Sequence, residues 1–186
     1  AMGMNRYPDN GGLALLEALA QRFAVSVEEV AIGGGSVTLL QQIIQAFAGP
    51  GDEVVYGWRS FEAYPIFPIQ TGATSVKVPL VDHTFSLTDI RAAITDATKV
   101  VLICNPNNPT GTAVSDGLKE FITDVPDNVL IVLDEAYREF VGPEIPDGLS
   151  LRQDNVMVLR TFSKAYGLAG LRVGYAVGDP KVIAAI

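Results

Sequence analysis

The chain has one cysteine and one histidine in 186 residues. A single cysteine closes no internal disulfide, and so few soft ligands exclude a cysteine-rich zinc site or a multi-histidine metal centre. Cys104 ends an apolar stretch and reads as a core thiol, while His83, in Val81-Asp82-His83-Thr84, reads as a solvated loop residue. Positive charge is also scarce, with 13 Lys and Arg against 21 Asp and Glu and a net charge of −8. A field of that sign repels nucleic acid and anionic lipid, so neither is expected as a partner. An anionic ligand would need a local device, such as a helix N-terminus with one arginine. No apolar run approaches the roughly 20 residues that span a bilayer. With no basic leader followed by a small-residue cleavage site, the expected location is cytoplasmic. Ala1-Met2-Gly3-Met4 reads as a cloning remnant plus a start and is set aside, leaving 5–186 as one domain.

Apolar residues make up 48% of the chain and charged residues 18%, the balance of a soluble globular protein. From Val30 onward strand and helix patterns alternate. Strands are predicted over 30–32, 53–56, 74–78, 99–104, 129–133, 156–160 and 172–177, from short apolar runs bounded by glycine, proline or asparagine. Leu39, Leu40, Ile43, Ile44 and Phe47 repeat at helical spacing after Gly33-Gly34-Gly35-Ser36, and 13–23 predicts an amphipathic opening helix. Ser86-Leu87-Thr88-Asp89 resembles a capping box with aspartate in place of glutamate, and Asp179-Pro180 is a cap with proline at the first helical position. Near-continuous apolar strands alternating with helices predict an α/β fold of three layers, a mostly parallel sheet with helices on both faces. Ligands of such sheets sit beyond the strand C-terminal ends.

Three strand ends carry polar groups. Lys164 follows the run 156–159, Asp134 and Tyr137 follow 129–133, and Asn107 and Asn108 follow 99–104 within Asn105-Pro106-Asn107-Asn108-Pro109-Thr110-Gly111. A lysine leaving a buried strand end is either held by an anion or kept neutral for chemistry, because an unpaired buried ammonium is costly. Gly33-Gly34-Gly35-Ser36 frees backbone amides at a helix N-terminus for a phosphate, and equally reads as a plain tight turn. Asp134 and Tyr137 taken alone also read as a capping acid and a packed tyrosine, the asparagines as turn residues, and Lys164 and Arg172 as surface cations. Together, a phosphate cradle, a lysine, an arginine, an acid with a phenol and an asparagine at strand ends suit one ligand, pyridoxal 5′-phosphate (PLP). A lysine amine forms an imine with its aldehyde, an aspartate keeps the pyridine nitrogen protonated, and arginine with backbone amides anchors the phosphate.

Asn105-Pro106-Asn107-Asn108-Pro109-Thr110-Gly111, Asp134-Glu135-Ala136-Tyr137 and Thr161-Phe162-Ser163-Lys164 with Arg172 resemble the fold type I PLP-dependent aminotransferases, within them the histidinol-phosphate and aromatic amino acid (phenylalanine) group. The likeness runs from Asn5-Arg6-Tyr7-Pro8 to the last residue. It implies that Lys164 bonds the cofactor aldehyde, that Asp134 pairs with the pyridine nitrogen, and that Tyr137 and Asn108 bond the phenolate oxygen. Thr161, Ser163, Arg172, Gly35 and Ser36 would hold the phosphate, and Tyr7 would reach the phosphate site of a neighbouring subunit in a homodimer. In Trp58-Arg59-Ser60-Phe61-Glu62-Ala63-Tyr64 the ring stacked on the pyridine is assigned to Tyr64 rather than Phe61, with a core role for Trp58 and Phe61 as the other reading.

That segment resembles the aromatic amino acid branch, and Ser36-Val37-Thr38 departs from the acidic pair common in the histidinol-phosphate branch. The implied function is transamination between an aromatic amino acid or histidinol phosphate and a 2-oxo acid such as 2-oxoglutarate. The alternatives are a non-catalytic PLP-binding or dimerisation module and another fold type I activity, a lyase or decarboxylase. The resemblance identifies the chain with the family's large domain, the N-terminal arm and the small C-terminal domain lying outside this sequence.

Overall fold

A computed structural model describes residues 6, 7, 9 and 11–186; the segment 1–4 read as a remnant lies outside the described residues. Seven strands, β1 (Val30–Gly33), β2 (Glu53–Trp58), β3 (Thr74–Pro79), β4 (Thr98–Cys104), β5 (Leu130–Asp134), β6 (Val156–Thr161) and β7 (Gly174–Val177), form one sheet in the order β1-β7-β6-β5-β4-β2-β3. Pairing is parallel from β3 through β6, and β7 runs antiparallel to both β6 and β1. Every residue of β5 and β6 is buried, as are Val100–Cys104 of β4, which is why these strands are apolar on both faces rather than alternating.

Among the described residues six helices pack around the sheet: α1 (Leu13–Phe23), α2 (Ser36–Phe47), α3 (Ile66–Thr71), α4 (Leu87–Ala92), α5 (Leu118–Asp124) and α6 (Pro180–Ile183). Successive strand residues face opposite sides, and β7 shows the division. Ala176 joins the large core that holds Leu39, Leu40, Ile43 and Ile44 of α2, whereas Tyr175 and Val177 join Leu19 and Ala20 of α1 in a second core. The predicted caps form, with Ser86 Oγ accepting from Asp89 N at 3.3 Å and Asp179 Oδ1 accepting from Lys181 N at 2.8 Å.

Three local departures from the sequence pattern have physical causes. β7 begins at Gly174, not at 172, because Arg172 takes a left-handed φ of 52° that closes the 3-10 turn Ala169–Leu171. β2 continues through Gly57 to Trp58 because the missing side chain leaves room for Phe85, whose Cε1 would lie 2.7 Å from a Cβ there. Pro68 does not prevent α3, since it falls in the first turn, where backbone N–H groups lack intrahelical partners anyway.

Candidate active site

The C-terminal ends of β4, β5 and β6 and the N-terminus of α2 enclose a cavity of about 120 Å³. Cys104, Asp134 and Thr161 form its floor, one from each strand end; Ser36, Val37, Phe61, Asn108 and Tyr137 also line it, and Ser163, Lys164 and Arg172 complete the lining. The fold thus brings Lys164, Asp134, Tyr137, Asn108, Thr161, Ser163, Arg172 and Ser36, all singled out in the sequence, around one space.

Two glycines build the anionic-ligand end. Gly35 is the N-cap of α2 with φ 87°, contributes no side-chain cap, and leaves the first-turn amides of a helix with no acidic residue in that turn. A Cβ at Gly35 would lie 2.6 Å from Arg172 Nη2, so the bare backbone is what lets the guanidinium lie against this turn. Gly174, at the start of β7, would drive a Cβ into Ser36 N and within 2.6 Å of Gly35 C. Its side-chain-free face seats α2 on the sheet. Arg172 donates to Ala169 O at 3.0 Å, to Ser163 Oγ at 3.4 Å and to Gly34 O at 3.5 Å, all neutral acceptors.

At the opposite polarity, Asp134 is buried at 6% exposure. Its Oδ1 accepts from Ala136 N at 3.2 Å and its Oδ2 from the Tyr64 hydroxyl at 2.9 Å. Burial raises its pKa above the usual carboxylate range, while the Tyr64 and Ala136 hydrogen bonds and the Lys164 charge act the other way. Burial likewise pushes the Cys104 thiol up to about 12, and Cys104 Sγ donates to Pro106 O at 3.3 Å, which makes it a neutral part of the floor.

The asparagines divide their labour. Asn105 is tied to Val114 through both its amide atoms, at 2.8 and 3.1 Å, and Asn107 accepts from Ser60 Oγ at 2.7 Å while donating to Arg59 O and Thr110 Oγ1. Both are scaffold for the turn, and Asn108 lines the cavity. Lys164 sits with Nζ 5.1 Å from the centroid of the Tyr137 ring, a cation-π arrangement on an exposed segment. Residues 164–172, Lys164 included, are exposed.

One expectation falls elsewhere. Tyr64 does not line the cavity: it is fully buried behind the floor, and Phe61, one turn earlier, occupies the wall. The backbone turns between them through a Tyr64 N to Phe61 O bond of 3.0 Å, and the two rings meet edge to face, with centroids 5.7 Å apart and planes at 89°, Phe61 on the cavity wall and Tyr64 behind it. Tyr7 is 99% exposed and lies outside this chain's cavity; its expected place is the phosphate site of a neighbouring subunit. Sequence reasoning missed Val37 and Gly174, and gave Tyr64 a stacking role in place of its hydrogen bond to Asp134. The signal available for Gly174 was a glycine inside a predicted strand, which marks a close backbone approach.

Among the described residues no ion pair engages Lys164, Arg172 or Asp134. The cavity thus holds two cations without anionic partners and a buried carboxylate without a cationic salt-bridge partner.

Comparison with known proteins identifies the family. The chain is 57% identical over its whole length to an aromatic amino acid aminotransferase of Thermobifida fusca and 56% identical over 97% of its length to one of Mycobacteroides abscessus, covering 53% of each. It therefore spans about half the length of the curated relatives it matches. Among solved structures, histidinol-phosphate aminotransferase from Sinorhizobium meliloti, in complex with pyridoxal 5′-phosphate, superimposes with a TM-score of 0.92 at 33% identity, over 97% of this chain and 50% of that one. An aspartate aminotransferase from Thermotoga maritima matches with a TM-score of 0.87 at 28% identity, over 98% of this chain and 53% of that one. The model of the family "Aminotransferase class I and II" matches residues 1–186, and the chain belongs to that family.

Proposed function

We propose that this chain is the PLP-binding large domain of an aminotransferase that exchanges an amino group between an aromatic amino acid and a 2-oxo acid such as 2-oxoglutarate. The observation that carries the reading is the unmatched charge in one cavity: Arg172 at one end, Asp134 at the other, Lys164 at the rim. PLP fits that pattern, being a phosphate dianion at one end, a protonated pyridine nitrogen at the other and an aldehyde between. The glycine turn at 33–35, which a Cβ at Gly35 would obstruct, suits the approach of a phosphate to the α2 amides.

Bound, the cofactor supplies a carbonyl carbon for amines and a ring that accepts the electron pair released at the substrate Cα. Lys164 Nζ would be the group that bonds the cofactor aldehyde, and its amine would serve as the base for the substrate Cα proton. Asp134 holds the ring nitrogen in its protonated form. Tyr137 and Asn108 would hold the phenolate oxygen, Phe61 would offer an apolar wall to the ring, and Ser36, Thr161, Ser163 and Arg172 would hold the phosphate with the Gly35 turn. The wall contributed by Phe61 and Val37 is apolar, which favours an aromatic donor, as do the Thermobifida fusca and Mycobacteroides abscessus relatives, both aromatic amino acid aminotransferases. Histidinol phosphate is the second reading, on the Sinorhizobium meliloti neighbour.

The full reading includes a homodimer in the cytoplasm with Tyr7 reaching across to the partner's phosphate site. No helix among the described residues is long and apolar enough to cross a membrane.

Incubating the protein with PLP should give an imine absorption band, and borohydride should fix the label at Lys164; a Lys164→Ala protein that keeps the band would overturn the assignment. Phenylalanine and histidinol phosphate are then offered separately with 2-oxoglutarate. Faster glutamate formation from phenylalanine supports the aromatic reading, and no turnover from either leaves a binding module.

A further inference from the structure

We infer that Tyr64 is a positioning residue for Asp134: its buried phenol fixes the carboxylate and holds negative charge on it toward the ring nitrogen of a bound cofactor. The inference rests on the reading of the cavity as a PLP site. Tyr64 is 0% exposed, lies behind the cavity floor and donates to Asp134 Oδ2 at 2.9 Å, while Ala136 N donates to Oδ1 at 3.2 Å. Each carboxylate oxygen therefore has one donor, and both torsional freedom and protonation of Asp134 are restricted from the protein side. The phenol itself is held by edge contacts to Tyr56 and Phe61, with ring centroids 5.6 and 5.7 Å away.

The titratable groups around Asp134 leave Tyr64 as the neutral donor. Burial, then the Asp134 charge, raises the Tyr64 pKa well above its ordinary value, so the phenol stays protonated. The Cys104 thiol is directed to Pro106 O, and Lys164 is the one cation that acts on Asp134. A hydrogen bond from a neutral donor stabilises the charged form of a carboxylate. Without it Asp134 is a stronger base, and it draws the shared proton away from the ring nitrogen. The Tyr64 hydroxyl thus favours the charge distribution that makes the ring an electron sink, without touching substrate or cofactor.

The test is Tyr64→Phe, which removes one oxygen, compared with Tyr56→Phe, which removes a neighbouring buried hydroxyl that has no partner. Each protein is loaded with PLP labelled with nitrogen-15 in the ring. The ring nitrogen resonance of Tyr64→Phe should move from the protonated toward the unprotonated pyridine range, and its PLP dissociation constant should rise about ten-fold. Tyr56→Phe should match the parent in both. An unchanged nitrogen resonance in Tyr64→Phe overturns the positioning role even if its melting temperature falls. Failure of the parent protein to bind PLP overturns the site reading, and this inference with it.

Discussion

Glu135 and Arg160 form a buried ion pair on the face of the sheet opposite the cavity. Arg160 Nε and Nη2 reach Glu135 Oε2 at 3.0 and 2.7 Å, Gly148 N donates to Glu135 Oε1 at 2.7 Å, and Asp147 Oδ1 takes a further bond from Arg160 Nη2 at 2.7 Å. Each member is the chain neighbour of a cavity residue, Asp134 in one case and Thr161 in the other. Because successive side chains alternate, the pair clamps β5 to β6 directly behind the two floor residues.

Breaking this pair from one side strands a charge in the interior. Glu135→Gln or Arg160→Met should each cost about 3–5 kcal/mol in urea unfolding of the cofactor-free protein. The double variant Glu135→Gln/Arg160→Met should recover part of that loss, and strictly additive losses would show that the two side chains do not act as a pair.

Asp134 should leave a signature in the pH dependence of stability. Burial raises its pKa in the folded protein, so the folded state binds that proton more tightly than the unfolded chain does. Its contribution is most favourable below the unfolded value of ~3.9 and declines as pH rises through the folded value. Asp134→Asn removes this decline. The unfolding free energy of the variant minus that of the parent should therefore increase with pH above ~4, and a difference independent of pH would contradict the assignment.

Arg172 makes only weak or neutral hydrogen bonds in this chain, so its cost on removal should appear in binding rather than folding. A fluorescence titration should show PLP affinity falling ten-fold or more in Arg172→Ala, since charge-assisted bonds to phosphate are among the strong ones. Labelling at Lys164 should persist at saturating PLP. Equal affinities would remove Arg172 from the site.

Gly174→Ala puts a methyl group against the backbone of Gly35 and Ser36. Relief requires α2 to lift from β7, with an expected stability loss of about 1–3 kcal/mol. The α2 amides and Arg172 then separate, and PLP binding should weaken. Chemical denaturation and the same fluorescence titration check both, and a variant with parental affinity would show that the α2 seat is not part of the anionic end.

The strands were legible because parallel strands covered on both faces must be apolar throughout, and 99–104, 129–133 and 156–160 have that character. The caps at Ser86 and Asp179 were legible because they involve chemistry within one turn. α3 was not, since this short helix with a proline in its first turn packs against α2, which β2 separates from it in the chain.

The local order of residues determined that Lys164, Asp134, Asn108 and Arg172 stand at strand ends or in the turns beyond them, because each follows or precedes an apolar run that has only one way to be buried. Which aromatic ring faces the cavity was decided by the tertiary structure. Phe61 and Tyr64 are equally apolar in pattern, and only the turn between them sends one ring to the wall and the other beneath Asp134. The same holds for Asn107 against Asn108, separated by a hydrogen bond to Ser60 from 47 residues away. Exposure of Lys164 also belongs to the tertiary level: a strand end predicts where the lysine stands, but its burial depends on the surfaces packed against it.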